Sequence, residues 1–207
     1  MLNIINGSIG LISDSHSLNL EMRKAIEILY DMGAKNIIHL GDICDSLKPE
    51  TLEDSIYILN RYNVKPIMGN NEYIIMTDQI SSQTRSLKDT SISFLKELPY
   101  TIQFEDICFT HSLPLNWPAA THKPISEYLP KMTVKNPPFR RVFRGHSHKT
   151  SMIEIEYESQ KELLIEPGAR ISLKKDRVYI ITVGAVEDGL CSLYDPKSNE
   201  FITISIN

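Results

Sequence analysis

Five short segments of this chain concentrate residue types that bind metal ions: Asp14-Ser15-His16, Gly41-Asp42-Ile43-Cys44-Asp45, Gly69-Asn70-Asn71-Glu72, Thr110-His111 and Gly145-His146-Ser147-His148. Each follows an apolar, strand-like run, and four of the chain's six histidines fall within them. In extended backbone, side chains two apart point the same way, so Asp14 and His16 can address one ion from one edge. The pooled donors are Asp14, His16, Asp42, Asn70, His111, His146 and His148. Mixed imidazole, carboxylate and amide-oxygen donors suit Mn, Fe, Zn, Co or Ni better than Mg or Ca. Seven side chains are too many for one tetrahedral ion and suit two ions sharing a carboxylate. Two ions about 3.5–4 Å apart can clamp a phosphate, neutralise its charge and generate a bridging hydroxide.

Each segment alone has an ordinary explanation. Asp14-Ser15-His16 is a turn, with Ser17 and Asn19 suited to cap a following helix. Gly41-Asp42 reads as a strand-to-helix turn and Gly69-Asn70-Asn71 as a turn signal. A lone His111 would be packed or hydrogen-bonded, and His39, inside a strand, is expected to pack in the core. The conjunction of all five, each at a strand end, favours one assembled site.

The elements that must position these residues follow from periodicity. Strands are predicted over 8–13, 36–40 and 64–68. Between them lie a helix marked by Leu18, Met22, Ala25 or Ile26, Leu29 and Met32, ended by Gly33, and a helix over 49–62 opened by Pro49. Alternation of strand and helix predicts parallel pairing, with the strand ends meeting in a common crevice. The polar stretch 77–89 reads as a loop or frayed helix, and a short helix is expected over 91–98. Strands over 100–104 and 107–110 flank a tight Glu105-Asp106 turn. Residues 112–138 carry six prolines and little periodicity beyond a short helical pattern near 124–129, which marks a functional or mobile segment. Strands are then predicted over 142–144, 151–157, 162–166, 177–183, 189–194 and 201–206, with a last hairpin loop at 195–199. The fold class expected is α/β: a parallel first half and a hairpin-rich second half, as two packed mixed sheets flanked by helices, in a single domain spanning 1–207.

Composition narrows the function classes. The net charge is −4 and no long Lys/Arg block is present, so nucleic acid is not an expected partner. The N-terminal segment lacks a basic region and a small-residue cleavage site and reads as a first strand rather than a leader. No apolar run reaches the roughly 18–20 residues that span a bilayer, so no membrane partner is expected. Three widely spaced cysteines, Cys44, Cys108 and Cys191, read as reduced thiols of a cytoplasmic protein.

The ordered segments resemble the calcineurin-like metallophosphoesterases, and among them the small bacterial and archaeal phosphodiesterases. The family pattern D-x-H, G-D-x-x-D, G-N-H-D/E, a later histidine and G-H-x-H is matched by Asp14-x-His16, Gly41-Asp42-x-x-Asp45, Gly69-Asn70-Asn71-Glu72, His111 and Gly145-His146-x-His148. Pro167-Gly168-Ala169, with Glu166 before it, resembles a further family turn. The resemblance implies a four-layer arrangement of two sheets between helices. It implies two divalent transition-metal ions, Mn first and Fe, Zn, Co or Ni as alternatives. Asp14, His16, Asp42 and His148 would hold one ion, and Asp42, Asn70, His111 and His146 the other. It implies hydrolysis of small phosphodiesters or phosphomonoesters, nucleotide-like in kind, with self-association left open. His111 and His146 border the reacting centre. Asn71 stands where many members carry a histidine that aids the leaving group, and an amide is not a general acid near neutral pH. His122 is then a fallback acid, and Asp45 a partner beside the ligands. The competing readings are a non-catalytic interaction scaffold on the same fold and a nuclease.

Overall fold

The computed structural model describes residues 7–81, 87–112, 139–156 and 159–206. The order is β1 (Ile9–Ile12), α1 (Asn19–Asp31), β2 (Asn36–His39), a 3-10 turn (Pro49–Thr51) running into α2 (Leu52–Arg61), β3 (Lys65–Pro66), α3 (Asn70–Ser81), α4 (Asp89–Glu97), β4 (Thr101–Phe104) and β5 (Ile107–Thr110). There follow β6 (Arg141–Arg144), β7 (Ser151–Glu156), β8 (Ser159–Leu164), β9 (Arg170–Ser172), β10 (Val178–Thr182), β11 (Leu190–Asp195) and β12 (Glu200–Ser205). They form two mixed sheets of six strands each, in the orders β3-β2-β1-β11-β12-β9 and β4-β5-β6-β10-β7-β8. This is the α/β class of two packed mixed sheets that the sequence implies.

Strand alternation sorts the core. On β1, Ile9 and Leu11 join Ile38 of β2, Leu40 just after it, Phe109, Phe143, Ile181 and Phe201 in one buried cluster shared by both sheets. Ile12 and Ile37 point the other way, against Met22, Ile26 and Leu29 of α1 and Leu59 of α2. Ile75 of α3 and Leu95 of α4 belong to that same cluster. So among the described residues all the helices cover the outer face of the first sheet. The outer face of the second sheet presents Cys108, Val142, Ile153, Val178 and Ile180. The irregular segment 113–138, with the short helix expected near 124–129 and His122, lies outside the described residues. No described helix is long and apolar enough to cross a membrane.

The second half departs from the expected run of hairpins. β5, β6 and β10 are parallel, and β10 lies between β6 and β7. The β11–β12 hairpin leaves this sheet and pairs antiparallel with β1 in the first one. Two parallel trios, β1-β2-β3 and β5-β6-β10, therefore each direct three chain segments off their carboxyl ends. Hydrogen bonds sew these segments together: Asp14 N donates to Gly41 O at 3.0 Å and Val186 N to Ser13 O at 2.8 Å.

Candidate metal centre

Every one of the seven candidate ligands sits on a segment leaving a parallel strand: 14–16 after β1, Asp42 after β2, Asn70 after β3, His111 after β5, and His146 and His148 after β6. Asp14, His16 and His148 bring one donor atom each within 4.8 Å of one another, and so do Asp42, His111 and His146. Asp42 stands between the two groups. Its Oδ2 lies 3.9 Å from His16 Nε2 and its Oδ1 lies 3.5 Å from His111 Nε2. Asn70 Oδ1 joins the second group, 2.8 Å from His111 Nε2 and 3.1 Å from His146 Nδ1.

The backbone around these donors is strained. Asp14, His16, Asp42, His146 and His148 all have positive φ, between 41° and 71°. Such conformations cost non-glycine residues on the order of 1–3 kcal/mol each and persist only where the surroundings enforce them. Two glycines permit the close approach. A Cβ on Gly69 would fall 2.1 Å from Asp42 N, and one on Gly145 would fall 1.8 Å from Ser13 Oγ.

Ring tautomers and buried atoms show that the residues fit a cation. His111 Nδ1 donates to Leu40 O at 2.7 Å, since a carbonyl can only accept. Its Nε2 then faces the oxygens of Asn70 and Asp42, which also accept, so the gap requires a second ring proton or a metal ion. His16 Nε2 is buried with no hydrogen-bond partner, an arrangement that costs stability unless something binds it. The charges pull in the same sense. Burial raises the Asp14 carboxyl, aided by Asp42 and opposed by His111. Burial opposes the Asp42 charge too, but His111, the Asn71 N–H and His16 outweigh it and the carboxyl is lowered. On His111 burial disfavours the charge, yet Asp42 and Asp14 outweigh it and the ring is raised. A compact set of carboxylates and imidazoles whose protonation is so interlocked is a setting for a cation.

Three residues hold the ligand segments in register. Glu72, fully buried on the first turn of α3, accepts backbone N–H groups from Gly69, Asp42, Ile43 and Cys44 at 2.8–3.1 Å, joining the segments after β2 and β3. Burial and the Asp42 charge raise its carboxyl to about 7, against those donors. Asn71 also faces inward. Its N donates to Asp42 Oδ1 at 2.9 Å, its Nδ2 to Asp42 Oδ2 at 2.8 Å, and its Oδ1 accepts from Ser46 N at 2.9 Å. His39 is buried, as expected, but it is also a connector. Gly41 N donates to its Nδ1, so its Nε2 donates to Ser15 Oγ at 2.9 Å, and Ser15 Oγ donates to Ile43 O at 3.0 Å.

Smaller expectations are redirected. Ser17 and Asn19 do not cap α1. Ser17 Oγ meets Thr51 Oγ1 at 2.5 Å, tying the segment before α1 to the 3-10 turn, and Asn19 Oδ1 accepts from Ser55 Oγ, tying α1 to α2. Asp45 Oδ1 accepts from Leu47 N and shapes its own turn. Gly168 lies in an exposed turn with its N–H on Thr203 O. All three cysteines are free and buried. Glu187, unremarked in the sequence, follows β10 and places Oε1 3.0 Å from His148 Nδ1.

Burial, with the His111 charge second, lowers the His39 ring from 6.5 to about 3. The unfolded chain therefore binds a proton that the folded chain refuses between these values, and stability present above about pH 6.5 is lost as the pH falls. Unfolding measured in chelator should show His39→Asn less stable than wild type at neutral pH. Its decline between about pH 6 and about pH 4 should be shallower by about 1.4 kcal/mol per pH unit. Parallel curves would refute this account of His39.

Two mixed sheets whose parallel trios deliver histidines, aspartates and an asparagine into two candidate metal-binding groups are the arrangement that the sequence resemblance implies. The chain matches the model of the calcineurin-like phosphoesterase superfamily domain over residues 8–188 and belongs to that superfamily. A metallophosphoesterase structure from Sphaerobacter thermophilus superposes with a TM-score of 0.69 at 19% identity, covering 97% of this chain and 88% of that one. An archaeal phosphodiesterase structure gives 0.51 at 19% identity, covering 96% and 99%. An uncharacterised protein of Methanocaldococcus jannaschii is 27% identical over 204 residues, 88% of this chain and 77% of its own length.

Proposed function

We propose that this protein hydrolyses phosphodiester or phosphomonoester bonds of small, nucleotide-like substrates with two transition-metal ions, Mn foremost. Asp14, His16, Asp42 and His148 hold one ion, and Asp42, Asn70, His111 and His146 the other. The observation that carries the reading is the Asp42 carboxylate, which turns one oxygen toward each group. When bound, the ions supply positive charge to the phosphoryl oxygens and acidify water for attack on phosphorus. The protein's own part is positional. Leu40 O keeps the His111 proton on Nδ1 and aims Nε2 inward. Asn71 fixes both Asp42 oxygens. His39 and Ser15 hold the 14–16 segment against the 41–43 segment.

Reconstitution with Mn, Zn, Co, Ni or Fe(II), followed by assays on p-nitrophenyl phosphate and bis(p-nitrophenyl) phosphate, tests the reading. The expected result is about two ions per chain and turnover that chelator abolishes and metal restores. Protein that takes up two ions yet leaves every ester intact would overturn the catalytic reading in favour of a scaffold.

A further inference from the structure

The outer side of His148 has a partner that the ligand set does not include. Its Nδ1 lies 3.0 Å from Glu187 Oε1, while its Nε2 lies 3.6 Å from Asp14 Oδ1. Asp188 Oδ2 is 3.6 Å from the same Nδ1, beyond hydrogen-bonding reach. Glu187 is not a stray surface acid. Its backbone N donates to Asp14 O at 3.3 Å, and the preceding Val186 N donates to Ser13 O. The segment after β10 is thus fastened to the segment after β1, and His148 closes the ring between them.

We propose that Glu187 is a positioning residue for the centre, the outer carboxylate of a carboxylate–histidine–metal relay through His148. A carboxylate at 3.0 Å draws the ring proton to Nδ1 and leaves the Nε2 lone pair turned toward Asp14 and His16. The charge also makes the imidazole a stronger donor. His111 is oriented the same way, but by the neutral Leu40 carbonyl. The two groups therefore carry differently tuned histidines, and Glu187 acts on the Asp14/His16/His148 side alone. A surface ion pair with a protonated His148 would hold the same two residues together but would compete with metal instead of favouring it.

The proposal rests on the metal centre argued above, and the two fail differently: without that centre wild-type protein takes up no metal, whereas without a Glu187 role Glu187→Ala takes it up normally. The test is a competition titration of Mn and of Co against a fluorescent chelator, with the Co(II) visible spectrum read at each step. Glu187→Ala should weaken one ion about 10–100-fold and leave the other within twofold. It should also shift the Co(II) bands of the weakened site. Glu187→Gln, whose amide oxygen still accepts the Nδ1 proton, should recover most of the loss. Asp188→Asn should bind both ions like wild type. Unchanged or tighter affinity for both ions in Glu187→Ala, or equal weakening of both, overturns the proposal. So does a Glu187→Gln variant no better than Glu187→Ala.

Discussion

Asp42→Asn is expected to abolish turnover, lowering kcat/KM on the order of 10³-fold or more, the scale of losing a principal electrostatic element of an active site. The reason is geometric. Asp42 is the only side chain whose two oxygens address both groups, Oδ2 toward His16 and Oδ1 toward His111, among the described residues. An amide keeps the shape but loses the charge. It also sets an N–H₂ against one of the two donors of Asn71 that now serve the carboxylate. That clash leaves a buried donor unpaired and costs about 1–3 kcal/mol. In the metal-free protein an opposing effect partly offsets it, because the Asp42 charge helps to raise the carboxyls of both Asp14 and Glu72 and its removal relieves them. The variant should therefore fold in chelator, as judged by circular dichroism and thermal unfolding. It should bind far less metal by elemental analysis and hydrolyse almost nothing. Two tightly held ions with near-wild-type activity would show that the carboxylate is not shared.

Much of this architecture is legible in the residues, and the rest is hidden for identifiable reasons. β1 and β2 announce themselves as short continuous apolar runs because both their faces are covered, and α1 and α2 because one face of each meets an apolar layer, so the period of 3.6 is clean. The Glu105 and Asn199 turns likewise sit where short polar breaks separate apolar runs, and both residues adopt positive φ. α3 is hidden. Its first turn buries Asn71 and Glu72 against the Asp42 segment instead of an apolar stripe, so Gly-Asn-Asn reads as a turn. β3 is only Lys65–Pro66, at the sheet edge where a strand tolerates a proline, and it is too short to show a period; Ile67 N still donates to His39 O beyond it. β9 is three residues of mostly exposed character, too short for its alternation to register.

Sheet membership is the larger loss. The β11–β12 hairpin and β10 choose partners distant in sequence, and local pattern carries no term for that choice. The site divides along the same line. Its seven candidate ligands stand out because each lies in a dense polar segment after an apolar run. The residues that orient them do not. Glu187 becomes visible only once β10 is known to lie parallel to β6, which brings the turn after it alongside His148. His39 looks like one more core residue until its two ring nitrogens are traced to Gly41 and Ser15.

The second large effect concerns Asn71 and the leaving group. An amide has no proton to give near neutral pH, and this one is committed to Asp42 and Ser46 N. A positioned general acid contributes about 10²–10⁴-fold, so a site without one should hydrolyse p-nitrophenyl esters faster than esters of simple alcohols by a factor of that order. Because Asn71 orients Asp42, its truncation should act on every substrate alike. Asn71→Ala should lower kcat on aryl and alkyl esters by a similar factor, about 10-fold or more, and weaken metal uptake in parallel. Asn71→His would place a titratable ring there, but only by surrendering the amide's hold on Asp42 and Ser46. Its alkyl esterase activity should rise relative to its aryl activity while both fall in absolute terms. The measurement is a plot of log kcat/KM against leaving-group pKa for a series of diesters, with chemistry established as rate-limiting. A flat plot for the wild type would reveal another acid and direct attention to His122. A loss in Asn71→Ala confined to alkyl esters would show that the amide acts on the leaving group after all, and not through Asp42.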